Sequence, residues 1–230
     1  MIGGAAVAIW CDVACDVREE FDHWHTHEHM PERLGIPGFL RGSRWVAQDG
    51  EGYFILYETQ STATITGRAY LERLNNPTPW SRQMMPHHRN MMRGACRIEA
   101  SHGAGLGQAL VTLRLSPQPG KAQALGAWLG QTLAAMAQRK GVVSAALLHH
   151  VGAQPSTAEQ QLRGGADRVP DRVALVSGYS VAAIAALLTQ EFSEAQMTAR
   201  GAAPGSVAAL YRLAFALATT GYTQRPEETA

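Results

Sequence analysis

Charge of one sign, cysteine and long apolar runs are all scarce in this sequence of 230 residues. Twenty Lys and Arg against nineteen Asp and Glu leave a formal net charge of +1, so no field draws the chain to nucleic acid or an anionic membrane. The three cysteines, Cys11, Cys15 and Cys96, are an odd number without the spacing of a disulfide framework or a metal site. We therefore expect reduced thiols, a cytoplasmic location and a small-molecule partner.

The apolar run near the amino terminus, "AAVAIW", is too short for a signal peptide or a membrane span. Its β-branched and aromatic residues predict a strand over residues 5–12. No other segment reaches a spanning length without Arg, Gln or Gly. The polar end of the chain, residues 223–230, is predicted to be frayed.

Predicted elements follow the order strand, helix, strand, strand, helix, strand, which is typical of a ferredoxin-like domain. This order occurs twice, so we predict an α+β protein with two tandem ferredoxin-like domains at residues 1–101 and 108–222, joined by a linker at 102–107. A hairpin turn is predicted at 49–52, "DGEG". The long loop at 152–171 is of a length that is usually functional.

Four of the nine histidines lie in "FDHWHTHEHMPERLGIPGF", residues 21–39. A helix is predicted over residues 17–30, stopped by proline. At 100° per residue Trp24 lies on the core-facing stripe, Glu28 projects into the same stripe, and His25 and His29 flank it. A buried glutamate needs a partner, and two imidazoles beside a carboxylate are suited to acid and base chemistry near neutral pH.

An ordinary helix end is the alternative interpretation. Histidine suits the negative end of the helix dipole, and Glu28 could pair with Arg33. His23 and His27 are predicted to be solvent-exposed. A divalent metal held by His25 and His29 is another alternative that the spacing allows, although no third ligand is fixed by the sequence.

A second group of candidate residues lies in "NNPTPWSRQMMPHHRN", residues 75–90. Arg82 and Arg89 could hold a carboxylate, while Trp80 could stack on a ring. His88 is a further candidate for proton transfer. The alternative is a surface connection in which Trp80 plugs the core.

Two further candidates for substrate contact are Arg41 and Trp24. Arg41 and Arg44 point to opposite faces of the second predicted strand, so at most one of them lines a given pocket, and we favour Arg41. The loop at 152–171 could close over the first half with Glu159 or Arg163 reaching in, but the sequence does not fix its direction.

The segment "FDHWHTHEHMPERLGIPGFLRGSRW" followed by "YFILYE" resembles the dimeric α+β barrel superfamily, particularly its EthD-like members. The resemblance rests on a first helix that ends in a His-x-Pro step, here at His29, and leads into a strand that opens with "PGF". It covers about the first hundred residues, and the second half only as topology.

The resemblance implies that two ferredoxin-like sheets pack into an α+β barrel. Two chains usually build such a barrel, whereas a tandem chain could build it alone and could still form a homodimer. Members bind small, often aromatic molecules between sheet and helices, and some bind haem. Their reactions include cofactor-free oxygenation, isomerisation and elimination. His29 matches the helix-end histidine of the family.

The leading hypothesis is a cofactor-independent lyase or isomerase of aromatic compound catabolism, acting on a small carboxylated aromatic-type metabolite, for example by eliminating formaldehyde or water. His29 is the expected base, with His25 and Glu28 tuning it or supplying the acid. Alternatives are a monooxygenase, cofactor-free or haem-using, a metal-dependent lyase, and a non-catalytic binding barrel.

Overall fold

The computed structural model describes residues 1–48, 52–152, 156–163 and 170–219. The predicted turn at 49–52 and the predicted tail at 223–230 therefore lie partly or wholly outside the described residues. The strand predicted at residues 5–12 is confirmed as the first strand of the fold.

Eight antiparallel strands form a closed barrel in the described part of the chain. They are β1 (Ala5–Asp12), β2 (Phe39–Ala47), β3 (Gly52–Thr59), β4 (Arg89–His102), β5 (Ala109–Leu115), β6 (Val142–His150), β7 (Arg172–Gly178) and β8 (Val207–Ala218). Their order around the barrel is β1-β3-β2-β8-β5-β7-β6-β4. Each half thus has the ferredoxin-like order, 4-1-3-2 and then 8-5-7-6.

Helices cover the outside of this barrel. They are α1 (Arg18–Trp24), α2 (Met30–Leu34), α3 (Thr62–Thr66), α4 (Arg68–Asn75), α5 (Pro79–Met84), α6 (Ala122–Met136), α7 (Ala158–Arg163), α8 (Val181–Gln190) and α9 (Glu194–Ala199). A π-helical turn (His25–His29) joins α1 to α2, and 3₁₀ turns lie at Cys15–Val17 and Met85–His87. No helix among the described residues is long and apolar enough to cross a bilayer.

The predicted α+β barrel fold is confirmed. A single chain closes it, because β2 pairs with β8 and β4 pairs with β6. The division of the chain into domains at 102–107 stays a prediction, and so does a homodimer, which the closure of the barrel does not require.

Side chains alternate between the two faces of each strand, which divides the apolar core into three layers. The barrel interior contains inward-facing residues such as Trp10, Trp45 and Phe54. One outer layer lies between β1–β4 and the first helices, and a second lies between β5–β8 and the helices α6, α8 and α9. We call these the first and the second outer layer.

The sequence predicted that the first helix stops before Pro31, and this prediction is wrong. Pro31 lies in the first turn of α2, where its missing N–H is not needed, and the helix continues to Leu34. Met30 packs directly on β2, because a Cβ at Gly42 would lie 2.9 Å from the Met30 Sδ. A glycine at this position lets the helix come close to the sheet.

Candidate functional site

The histidine-rich segment changes helical period at its centre. From His25 to His29 the helix is a π-helix, with hydrogen bonds from residue i to i+5. Each residue therefore turns by less than the 100° of an α-helix, and the predicted angular positions shift. His25 and His29 are both buried, 1% and 8% exposed. Single π turns within α-helices are frequent at functional sites.

Glu28 is not beside these two imidazoles, so the expectation that it shares their pocket is wrong. It is half-buried, and its Oε1 accepts hydrogen bonds from Thr78 Oγ1 at 2.6 Å, Trp24 Nε1 at 3.2 Å and Ser81 Oγ at 3.3 Å. The π turn rotates its side chain toward the start of α5. Glu28 therefore joins the first helix to α5.

His25 and His29 face a narrow cavity between the helices and the outward face of the first-half sheet. We call it the histidine cavity. Its lining consists of Ile9, His25, His29, Arg33, Ile55, Tyr57, Tyr70, Leu74, Met85, His88, Met91, Arg93, Glu159 and Arg163. The cavity has a volume of about 20 Å³, which is room for about one water molecule.

The imidazoles of His25 and His29 are neutral at pH 7. Burial, reinforced by nearby guanidinium groups, lowers the pKa of His25 and of His29 well below 6.5. His25 Nε2 lies 3.2 Å from the Tyr57 hydroxyl. Neither Nδ1 atom has a hydrogen-bond partner among the described residues. Buried polar atoms of this kind are rare in proteins and point to a ligand or an ordered water.

His88 enters the same cavity from the turn that precedes β4. Its Nδ1 donates to the Met85 carbonyl at 3.1 Å, so in the neutral ring Nε2 carries the free lone pair. Burial lowers the pKa of His88 to about 4. Asn90 has a left-handed φ of 51°, and its amide donates to Asp12 Oδ2 at 2.8 Å. That contact ties the segment after His88 to the end of β1.

Two arginines of the first half, Arg33 and Arg93, line the cavity. The sequence had not indicated either of them as a site residue. Arg33 is 2% exposed, pairs with Glu159 and lies 3.4 Å from Glu32. Burial alone would lower the pKa of Arg33, but the Glu159 carboxylate raises it. Arg93 donates to the Tyr70 hydroxyl at 2.8 Å. Arg33 follows His29 by four residues, and this spacing was a signal that both share one helix face.

The long loop at 152–171 reaches the first half, in the part that the structure describes. It contains α7, which places both Glu159 and Arg163 in the lining of the cavity. Glu159 is 2% exposed, and its Oε2 lies 3.8 Å from Arg163 NH1. A short helix in this loop was not predicted, because six residues carry little periodicity.

Trp80, Arg82 and Arg89 do not line the histidine cavity. Trp80 donates to Glu20 Oε1 at 2.8 Å and packs against His23 at the surface. Arg82 and Arg89 are exposed. These three side chains are therefore not brought to the imidazoles, and their role in holding a carboxylate and a ring stays a prediction.

The other two substrate-contact candidates also lie elsewhere. Arg41 faces the inner side of the barrel, where its Nε donates to Glu58 Oε1 at 2.6 Å. Arg44 was correctly placed on the opposite face, with its Nε 3.3 Å from Asp22 Oδ1. Trp24 is fully buried behind the imidazoles, its ring centroid 4.4 Å from that of His29.

Neither a metal nor haem fits the cavity as it stands. Among the described residues no three imidazole, thiol or carboxylate groups are arranged to hold a metal ion. The arginines Arg33, Arg93 and Arg163 line the same space and would repel a dication. A porphyrin is a drug-sized ligand, and a pocket for such a ligand has a volume of roughly 300–1,000 Å³. The histidine cavity is far smaller. The expected absence of a cofactor stays a prediction.

No family model matches the chain, and no curated protein matches its sequence. Solved structures match nearly its whole length. An anthrone oxidase-like protein is 12% identical with a TM-score of 0.65, over 94% of this chain and 93% of that one. A putative monooxygenase from Fusobacterium nucleatum is 9% identical with a TM-score of 0.60, over 95% and 96%. One from Lactobacillus acidophilus is 9% identical with a TM-score of 0.58, over 94% and 97%.

At these identities the likeness shows the fold, a ferredoxin-like α+β barrel. The narrower EthD-like resemblance and the tandem repeat remain predictions.

Proposed function

We propose that this chain is a cofactor-independent monooxygenase for an aromatic substrate with an acidic C–H bond. One observation carries the proposal: the buried imidazoles of His25, His29 and His88 line one cavity together with Arg33. Burial lowers the pKa of His25 and of His29 well below 6.5 and that of His88 to about 4. Imidazoles that stay neutral at pH 7 can accept a proton from a substrate.

His29 is the proposed base. Arg33 lies one helical turn further along and lines the same cavity, so its positive charge would stabilise the anion that forms when the proton leaves. His88 offers its free Nε2 on another wall of the cavity, and the pair of His25 and the Tyr57 hydroxyl can pass a proton onward. The proton would be held by protein groups while the substrate anion reacts.

The reaction balances without an outside reductant. A methylene between two aromatic rings loses a proton to the imidazole, the carbanion adds dioxygen to give a peroxide anion, and the imidazolium returns the proton to form a hydroperoxide. Loss of water from the hydroperoxide leaves a ketone. One oxygen atom remains in the ketone and the other leaves as water, so the substrate itself supplies all the electrons.

The names of the structural neighbours support oxygenation over elimination. One is described as anthrone oxidase-like and two as putative monooxygenases. The lyase or isomerase hypothesis begins with the same proton abstraction, but none of these three names supports it. We therefore place it second, distinguished by its independence from dioxygen.

An anthrone that carries a carboxylate is a suitable probe, because its central methylene is acidic. We expect the protein to consume dioxygen with this compound, and His29→Ala to reduce turnover by on the order of 10²-fold or more. His27→Ala is the matched control, since His27 is exposed on the same π turn. Near-normal turnover in His29→Ala would remove His29 as the base, and conversion that proceeds without oxygen would select the lyase.

A further inference from the structure

The histidine cavity is closed by an element from the opposite half of the chain. α7 packs on α4 and on the 3₁₀ turn Met85–His87, and the Ala158 N–H donates to Asn75 Oδ1 at 3.1 Å. The space enclosed holds about one water-sized molecule. An aromatic ring does not fit in it, so a substrate of the proposed class has to displace part of the wall.

Glu159 is the carboxylate that α7 carries into this space. Its Oε1 pairs with Arg33 and its Oε2 faces Arg163. Arg33 belongs to the first helix, where it also lies 3.4 Å from Glu32 and packs over the Tyr70 ring at 6.0 Å. If α7 moves, Glu159 moves with it, whereas Arg33 stays in the wall of the cavity.

We propose that Glu159 is an internal stand-in for a carboxylate on the substrate, and that α7 withdraws when an aromatic carboxylate takes its place on Arg33. A buried guanidinium that loses its closest carboxylate is strongly unfavourable, and Arg33 would keep only the longer contact with Glu32 at 3.4 Å. An incoming carboxylate restores the close ion pair, with the two-pronged geometry that guanidinium favours. A neutral analogue of the same shape would not replace the Glu159 carboxylate on Arg33, so the exchange selects anions.

The inference rests on the proposed function only in placing the substrate in this cavity, and it is tested without turnover. Benzoate and its neutral isostere benzamide are titrated calorimetrically into the wild type, Glu159→Gln and the matched control Glu191→Gln. Glu191 belongs to a surface ion pair with Arg139. We expect Glu159→Gln to bind benzoate at least tenfold more tightly than the wild type, with benzamide unchanged. Glu191→Gln should bind both as the wild type does.

Two results would overturn the inference: benzoate binding to Glu159→Gln that is no tighter than to the wild type, or an equal gain for benzamide. Glu159→Asp is a second variant in case Glu159→Gln misfolds, because it keeps the carboxylate and only shortens the side chain by one methylene. It should gain affinity for benzoate, by less than Glu159→Gln. Hydrogen exchange gives a second readout: benzoate should speed exchange of the α7 amides in the wild type, and unchanged exchange would contradict withdrawal.

Discussion

The two outer layers of the barrel are built in the same order but filled with different chemistry. In the second layer, α6 places Leu125, Leu129, Leu133 and Met136 on the sheet, all fully buried at helical spacing. In the first layer, the histidine-rich helix places imidazoles and Arg33 against the sheet as well as Phe21 and Trp24. One frame thus contains a second layer packed mainly by apolar side chains and a first layer in which apolar packing surrounds polar groups suited to chemistry.

The polar groups of the first layer cost stability that apolar burial in both layers offsets. A fully buried leucine contributes about 1.5–3 kcal/mol through burial of apolar surface. Buried polar atoms without a hydrogen-bond partner in the described part of the chain, such as the Nδ1 atoms of His25 and His29, cost free energy instead. Proteins commonly lose stability where side chains are arranged for function.

The largest expected effect on stability is in the second layer. Leu129→Ala should lower the free energy of unfolding by about 2–5 kcal/mol, because it leaves a cavity in a close-packed core. Turnover per folded molecule should stay unchanged, since Leu129 belongs to the layer without the histidines. Urea unfolding and oxygen consumption measure the two effects, and a loss of turnover in fully folded Leu129→Ala would break the division between the layers.

A second prediction concerns the pH dependence of stability, because the titratable histidines of the cavity belong to the first layer. The folded-state pKa of His88 is about 4, below its ordinary value, so the unfolded chain binds the proton first as pH falls. The stability contributed by neutral His88 is complete above about pH 6.5 and is lost between about 6.5 and 4. It amounts to roughly 3 kcal/mol at 1.36 kcal/mol per pH unit.

Unfolding of the wild type and of His88→Gln at pH 7 and pH 4.5 measures this contribution. The variant should lose less stability on acidification than the wild type. His87→Gln, at the exposed neighbouring position, is the control and should follow the wild type. Identical acid sensitivity in His88→Gln would contradict a neutral buried His88.

The smallest expected effect is that of Glu28→Gln, which tests whether Glu28 belongs to the catalytic site of the first layer. Glu28→Gln should lower the free energy of unfolding by about 1–2 kcal/mol, because a neutral amide oxygen is a weaker acceptor than a carboxylate for the hydrogen bonds from Thr78, Trp24 and Ser81. Turnover should change by less than about threefold, well short of a general acid or base. A drop in oxygen consumption comparable to that of His29→Ala would return Glu28 to the chemistry.

Much of the fold was predictable, because apolar periodicity and turn residues act locally. β1 begins and ends where the sequence predicted, and the eight strands follow in the predicted order, whereas short helices such as α5 and α7 were not predicted. Glu28 was misplaced because a π turn leaves no clear signature in the sequence. Arg41 and Arg44 do lie on opposite faces of β2, as predicted, but neither lines the histidine cavity, because the face of β2 that meets a given cavity depends on the tertiary packing.

By itself the sequence determined the order of the strands, the ferredoxin-like topology and the helix that carries His25 and His29, since these depend on neighbours a few residues apart. Only the tertiary structure decided which side chains share the cavity. His88, Arg93, Tyr57 and Glu159 come to the imidazoles from different elements of the fold. Contacts between residues as far apart as Arg33 and Glu159 are made by strand register and barrel closure, and no local pattern encodes them.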